Sequence, residues 1–173
     1  MRIGIDISQI AYEKTGVSDY LRNLIQTLTE LDKKNEYVLF FSSLRKSLPK
    51  LSIHNSKVTI KRFRFPPTIL DFIWNKLHIL SIERLIGDVD VFITSDWTEP
   101  PSSSKKATII YDLVVYKNPE ETAKKIIDVQ KRKLEWVKKE SKIIFCISEA
   151  TKKDAINVLG IPENKLKVIY PGA

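Results

Sequence analysis

The chain has 173 residues, 43% apolar and 29% charged, with a net charge of +8, one cysteine and two histidines. This length and composition describe one ordinary globular domain with a single core, and no repeat or low-complexity tract. No apolar run approaches the roughly 20 residues that cross a bilayer, Asp6 interrupts any secretory apolar segment at the N-terminus, and a lone cysteine excludes an internal disulfide and suits a reducing cytoplasm.

In chain order, strand and helix patterns alternate. Arg2–Ser8 reads as a strand through Ile3, Ile5 and Ile7, and Ser18–Asp32 as an amphipathic helix through Leu21, Leu24, Ile25, Leu28 and Leu31. Glu36–Ser42 is a near-continuous apolar strand, as expected where both faces are covered. Val58–Phe63 is a strand closed by Pro66-Pro67, and Thr68–Ile86 a helix with Leu70, Ile73, Trp74, Leu77, Leu80 and Leu85 on its apolar face. Short strands follow at Asp90–Thr94 and Ala107–Tyr111, separated by the Pro- and Ser-containing loop Ser95–Lys106. Pro119–Ser141 reads as a long basic helix whose apolar face is Ala123, Ile126, Ile127, Gln130, Leu134 and Val137. Lys142–Ile147 is a strand. Ser148–Leu159 is a helix capped by Ser148 and stopped by Gly160 ahead of Pro162. A short strand around Lys167–Tyr170 then meets Pro171-Gly172, a breaker pair expected to begin a linker at 171–173, with 1–170 as the domain. Strands alternating with helices imply an α/β fold, a Rossmann-like open and mostly parallel sheet flanked by helices.

In such a sheet, ligands bind outside the carboxyl ends of the strands, where strand order reverses. The loops expected there carry the candidate residues. Gln9–Val17 ends in Gly16 at a helix start, where free amides and the helix dipole suit a phosphate; a plain turn glycine is the competing reading. Tyr111 and Asp112 end a strand, where a hydroxyl and a carboxylate can hold a substrate or simply close a loop. Asp96-Trp97-Thr98-Glu99 offers an aromatic face beside carboxylates, suited to a sugar or to a position under a lid. Cys146 lies in an apolar strand and reads as core rather than nucleophile. Asp6, inside a central strand, needs hydrogen-bond donors from a neighbouring loop. His54 and His78 have no partner at ligand spacing, so no metal site is expected.

The positive charge raises three partners: nucleic acid, an anionic membrane surface, or a phosphorylated ligand. Its dispersal around the long basic helix fits a solvated face better than a nucleic-acid arm. The aromatic and basic stretch Lys61–Lys76, with Phe63, Phe65, Phe72 and Trp74 beside Lys61, Arg62 and Arg64, permits a membrane-surface adaptor. It equally permits Trp74 and Leu77 in the core with Lys61 and Arg62 solvated.

Arg-Ile-Gly-Ile-Asp near the start, Thr-Gly-Val-Ser-Asp-Tyr-Leu-Arg-Asn-Leu, Tyr-Asp-Leu, Ile-Ser-Glu-Ala-Thr-Lys-Lys-Asp and the closing Leu-Gly-Ile-Pro-Glu-Asn-Lys-Leu-Lys-Val-Ile-Tyr-Pro-Gly stand in this order. Together they resemble the N-terminal half of a group 1 (family 4) glycosyltransferase of the GT-B type. The resemblance implies two Rossmann-like domains across a cleft, the acceptor side here and most of the nucleotide-sugar site in a C-terminal domain. It implies retention at the anomeric carbon, no metal or other cofactor, and a fragment inactive by itself. Gly16 matches the loop glycine against the donor diphosphate, and Ser148 a position on the hinge side of the cleft; these two are the donor-phosphate candidates. Tyr111 stands where many members carry a histidine that contacts the transferred sugar, so it is the catalytic candidate. Tyr12, Asp96, Trp97 and Asp112 are the acceptor-side candidates. Expected partners are a nucleotide sugar, a glycan or lipid-linked acceptor and the second domain, with no nucleic acid, possible peripheral contact with the inner face of a membrane, and a monomer or weak dimer. A stand-alone binding module is the rival reading.

Overall fold

Apolar residues on both sides of the central strands require a sheet covered on both faces, and the structure, a computed structural model that describes residues 1–171, has one. Among the described residues, seven strands form a single parallel sheet in the order β3-β2-β1-β4-β5-β6-β7. They are β1 (Arg2–Asp6), β2 (Glu36–Ser42), β3 (Val58–Phe63), β4 (Val91–Thr94), β5 (Lys105–Ile110), β6 (Ser141–Cys146) and β7 (Leu166–Val168). Pro171 follows without regular structure; of the linker expected at 171–173, Gly172 and Ala173 lie outside the described residues.

Neighbouring residues of a strand point to opposite faces, and the core divides accordingly. Tyr37, Leu39 and Phe41 of β2 join Ile5 and Ile7 against Leu21 and Ile25 of α1 (Gly16–Leu31). Val38 and Phe40 join Phe92 of β4 on the other face, against Leu70 of α2 (Pro67–Leu70), Trp74, Ile82 and Ile86 of α3 (Glu83–Ile86). Gly4 faces this second layer, where a Cβ would come within 2.7 Å of the Phe92 ring and 2.9 Å of Ile86, so only glycine lets them approach. A third cluster packs Ile110, Ile144, Cys146 and Leu113, which precedes α4 (Val114–Lys117), against Leu134 and Val137 of α5 (Lys124–Glu140) and Ala155 and Leu159 of α6 (Glu149–Leu159). Cys146 is fully buried and its thiol pKa is pushed up by burial to about 11, as a core residue rather than a nucleophile requires. Ser148 Oγ accepts the Thr151 amide at 3.1 Å, and Gly160 ends α6 in the left-handed conformation.

Two expected helices are broken. The pattern over Thr68–Ile86 becomes α2, a π-helical turn over Asp71–Lys76, an irregular stretch, and α3. His78 and Leu80 take φ of 51° and 65°. Tertiary partners hold this costly backbone. Trp74 donates its indole N–H to the Leu80 carbonyl at 2.9 Å, and His78 stacks on Trp136 at 3.5 Å while its Nε2 lies 2.7 Å from Glu140. Leu77 is therefore exposed rather than core, whereas Trp74 is fully buried and unavailable to any surface. Likewise Pro119–Glu121 forms a separate turn, Thr122 is extended, and the long helix starts only at Lys124. Its buried face is Val129, Lys133, Leu134 and Val137, rotated from the expected stripe, so that Ile126 is exposed.

The rotation puts a lysine inside. Lys133 is 2% exposed, with its ammonium 3.3 Å from the Thr108 hydroxyl. Burial lowers its pKa, opposed by the carboxylates of Glu99, Asp96 and Asp6. A second buried lysine, Lys106 of β5, lies 2.8 Å from Glu99 and 2.6 Å from Glu140, and donates to the Pro100 carbonyl at 2.7 Å. The other Glu99 oxygen accepts the Thr94 hydroxyl at 2.6 Å. Glu140 would be raised by its partial burial, but the Lys106 and His78 bonds leave its pKa below the usual value. Lys106→Met strands the Glu99 carboxylate, which is completely buried. Urea denaturation at neutral pH is expected to show a loss of about 3–5 kcal/mol. Adding Glu99→Gln is expected to return part of it.

Candidate functional site

β1 connects to β2 on one side, whereas β4, β5 and β6 extend on the other, so strand order reverses between β1 and β4. The crevice outside their carboxyl ends is the place where an open parallel sheet receives ligands. Asp6 closes β1 there and is 5% exposed; the missing donor to its carboxylate is the Ser8 amide, at 2.9 Å. Burial raises its pKa, against that hydrogen bond and the Lys133 charge. The chain then makes a 3₁₀ turn over Ser8–Ala11 and enters α1 at Gly16. Thr15 caps that helix: its hydroxyl oxygen accepts the Ser18 amide at 3.2 Å.

Gly16 has an open approach. A Cβ built on it meets nothing within 4 Å, so its own fold does not require glycine there. The amides of Gly16 and Val17 begin the helix, where no preceding helical carbonyl can accept them. Both residues line an open cleft of about 810 Å³, together with Asp19, Tyr20, Leu24, Tyr111, Asp112, Ile147, Ile169 and Tyr170.

Tyr111 immediately follows β5 and is buried, 6% exposed. Its hydroxyl lies 3.1 Å from Ser95 Oγ and its ring meets Tyr20 edge-on at 5.5 Å. Burial holds its phenol pKa well above the ordinary value. Asp112 is exposed beside it, with one carboxylate oxygen accepting the Val114 amide at 3.1 Å. Gly16, Tyr111 and Asp112 thus share one cleft.

The remaining candidates lie elsewhere. Asp96 is tied to Gln130 Nε2 of α5 at 3.2 Å, and burial raises its pKa. Trp97 lines a separate groove with Pro67, Thr68, Asp71, Lys125, Ile126 and Val129. Tyr12 is at the surface with the Lys46 ammonium 4.7 Å over its ring. Ser148 spends its hydroxyl on the α6 amide and on Thr151 Oγ1 at 3.0 Å. Sequence patterns missed Ser95 and Tyr20, which hold Tyr111, and Lys133, which sits among the carboxylates beneath the crevice. Only Lys133 carried a signal: it is the one charged position in the stripe Val129-Lys133-Val137. Among the described residues, no three His, Cys, Asp or Glu side chains converge as a metal site.

A profile of Glycosyltransferase Family 4 matches residues 14–173. The chain belongs to that family. Its seven-stranded parallel sheet flanked by helices is the Rossmann-like α/β fold of a GT-B domain. A solved α-glucosyltransferase, in complex with UDP and a 13-mer DNA containing an HMU base, has the same fold at a TM-score of 0.53 and 18% identity. That alignment covers 100% of this chain and 43% of the glucosyltransferase, so the family 4 domain spans less than half the length of that neighbour. No curated protein matches the sequence.

In this family 4 domain the Tyr111 hydroxyl is bonded to a buried serine, so its removal acts on stability. Tyr111→Phe is expected to cost about 0.5–1.5 kcal/mol, read as a lower melting temperature, while the ring contact with Tyr20 persists.

Proposed function

We propose that this domain is the acceptor-side half of a retaining glycosyltransferase that moves a hexosyl group from a nucleotide sugar, and that it is inactive without a donor-binding partner domain. The observation that carries this reading is the chemistry of the cleft. It offers a helix N-terminus at Gly16 suited to phosphate oxygens, yet among the described residues its lining contains no lysine or arginine and two carboxylates, Asp19 and Asp112. A diphosphate leaving group needs cationic neutralisation as the sugar–oxygen bond breaks. In a site built this way the cations come from across the cleft, and the neighbour's greater length leaves room for a second domain.

In transfer, an acceptor hydroxyl bonds to the anomeric carbon as the bond to the diphosphate breaks, its proton passing to the departing diphosphate oxygen, and positive charge develops on the sugar ring. The amides of Gly16 and Val17 and the dipole of α1 would then receive part of the phosphate charge. Tyr111, through its ring face or hydroxyl, would border the transferred sugar. Asp112, open beside it, would orient the acceptor hydroxyl and accept its hydrogen bond, with Ser148 keeping the start of α6 in shape. Asp96, Trp97 and Tyr12 would contact only an acceptor long enough to reach beyond the main cleft, through the groove at Trp97. No metal or other cofactor enters this scheme, and the acceptor class it suits is a glycan or a lipid-linked sugar rather than a nucleic acid.

Titration of the chain with UDP-, GDP- and ADP-sugars, followed by amide resonances, tests the half-site reading. A millimolar affinity corresponds to about 4 kcal/mol, the scale that one helix end and one loop together supply. The expected result is millimolar binding with the largest shifts at Gly16 and Val17, and no sugar transfer. Micromolar affinity, or shifts that avoid the start of α1, would overturn it.

A further inference from the structure

The break in the helix between β3 and β4 has a surface consequence. On an unbroken helix, Leu77 and Leu80 would share the buried stripe of Leu70, Ile73 and Trp74. The π-helical turn and the left-handed backbone of His78 and Leu80 turn them outward instead. Phe72, Leu77 and Ile79 are 51%, 49% and 54% exposed, and Phe65, Ile69 and Leu80 continue the same exposed run. This is not a frayed segment. The Ile79 amide bonds the Ile73 carbonyl at 3.0 Å, Trp74 holds the Leu80 carbonyl, and His78 is wedged between Trp136 and Glu140.

The charge around these side chains is predominantly positive. Lys61, Arg64 and Lys76 are exposed along the same segment, and Phe72 and Lys76 line a groove with Lys124, Lys125 and Arg132, against Asp71 and Asp128. The only acidic residue from 61 to 82 is Asp71, and Arg132 neutralises it at 2.6 Å. We propose that this ridge, from Phe65 through Phe72 to Leu80, docks the protein onto an anionic lipid bilayer. Aromatic and aliphatic side chains enter the interface while the lysines and arginines meet lipid phosphates. Uncompensated cations rimming an apolar ridge complement phospholipid headgroups, whereas a second copy of the chain would bring the same cations face to face. The proposal is independent of the transferase reading, because it needs only this face.

Sedimentation with phosphatidylcholine vesicles, with and without phosphatidylglycerol, tests it. The chain is expected to bind only vesicles containing phosphatidylglycerol and to be released by high salt. Phe72→Ser with Leu77→Ser and Ile79→Ser is expected to weaken binding by roughly ten-fold or more, with circular dichroism melting confirming the fold. Lys61→Glu with Lys76→Glu is expected to weaken it far more than Lys34→Glu with Lys153→Glu, an equal charge change away from the ridge. Absence of binding to phosphatidylglycerol, equal behaviour of all variants, or a lipid-free dimer that the serine substitutions dissolve would each overturn the proposal.

Discussion

Much of this structure hangs on the Glu140 carboxylate, which is shared between Lys106 and His78 at 2.6 and 2.7 Å. Through Lys106 it joins the end of α5 to β5 and, by way of Glu99 and the Pro100 carbonyl, to the loop that follows β4. Through His78 it anchors the irregular stretch after the π-helical turn. Charges this deeply placed are costly to desolvate, so the arrangement persists only because each is met by an opposite charge or a hydroxyl. Thr94 and Thr108, whose hydroxyls lie 2.6 Å apart on adjacent strands, supply the hydroxyls.

Two surfaces inherit their shape from that cluster. The loop after β4 starts with Ser95, which holds the Tyr111 hydroxyl, and continues to Asp96, whose carboxylate meets Gln130. Asn75 locks the same loop to the π-helical turn by accepting the Glu99 amide at 2.9 Å and donating to the Trp97 carbonyl at 2.9 Å. The crevice at the reversal of strand order is therefore coupled to the face that carries Phe72 and Leu77. A change at His78 or Glu140 would be felt on both. The Gly16 side of the cleft is held separately, by Leu21 and Ile25 of α1 packed on the opposite face of the sheet, and meets the loop after β4 through Tyr111.

The cleft's own electrostatics set the character of the domain. Burial raises the pKa of Asp6, Asp96 and Tyr111 and lowers that of Lys133, and in each case a hydrogen bond or an opposite charge beside the group works against the shift.

Local pattern alone was enough for the seven strands, their parallel order of covering, the helix start at Gly16 and the Ser148–Gly160 helix, because alternation, a near-continuous apolar run and cap residues act over a few neighbouring positions. Motif order likewise carried the family. Local pattern could not reveal that the Thr68–Ile86 helix breaks or that α5 turns Lys133 inward and Ile126 outward. Helical periodicity marks a stripe that can be buried; whether a partner exists to bury it depends on residues far away in sequence. Here Trp136 and Glu140 capture His78, some 60 positions distant, and carboxylates on β1 and in the loop after β4 make room for the Lys133 ammonium. The same holds at the site: the sequence placed Tyr111 at a strand end, but only the approach of Ser95 and Tyr20 gave its hydroxyl a buried partner and its ring an aromatic neighbour.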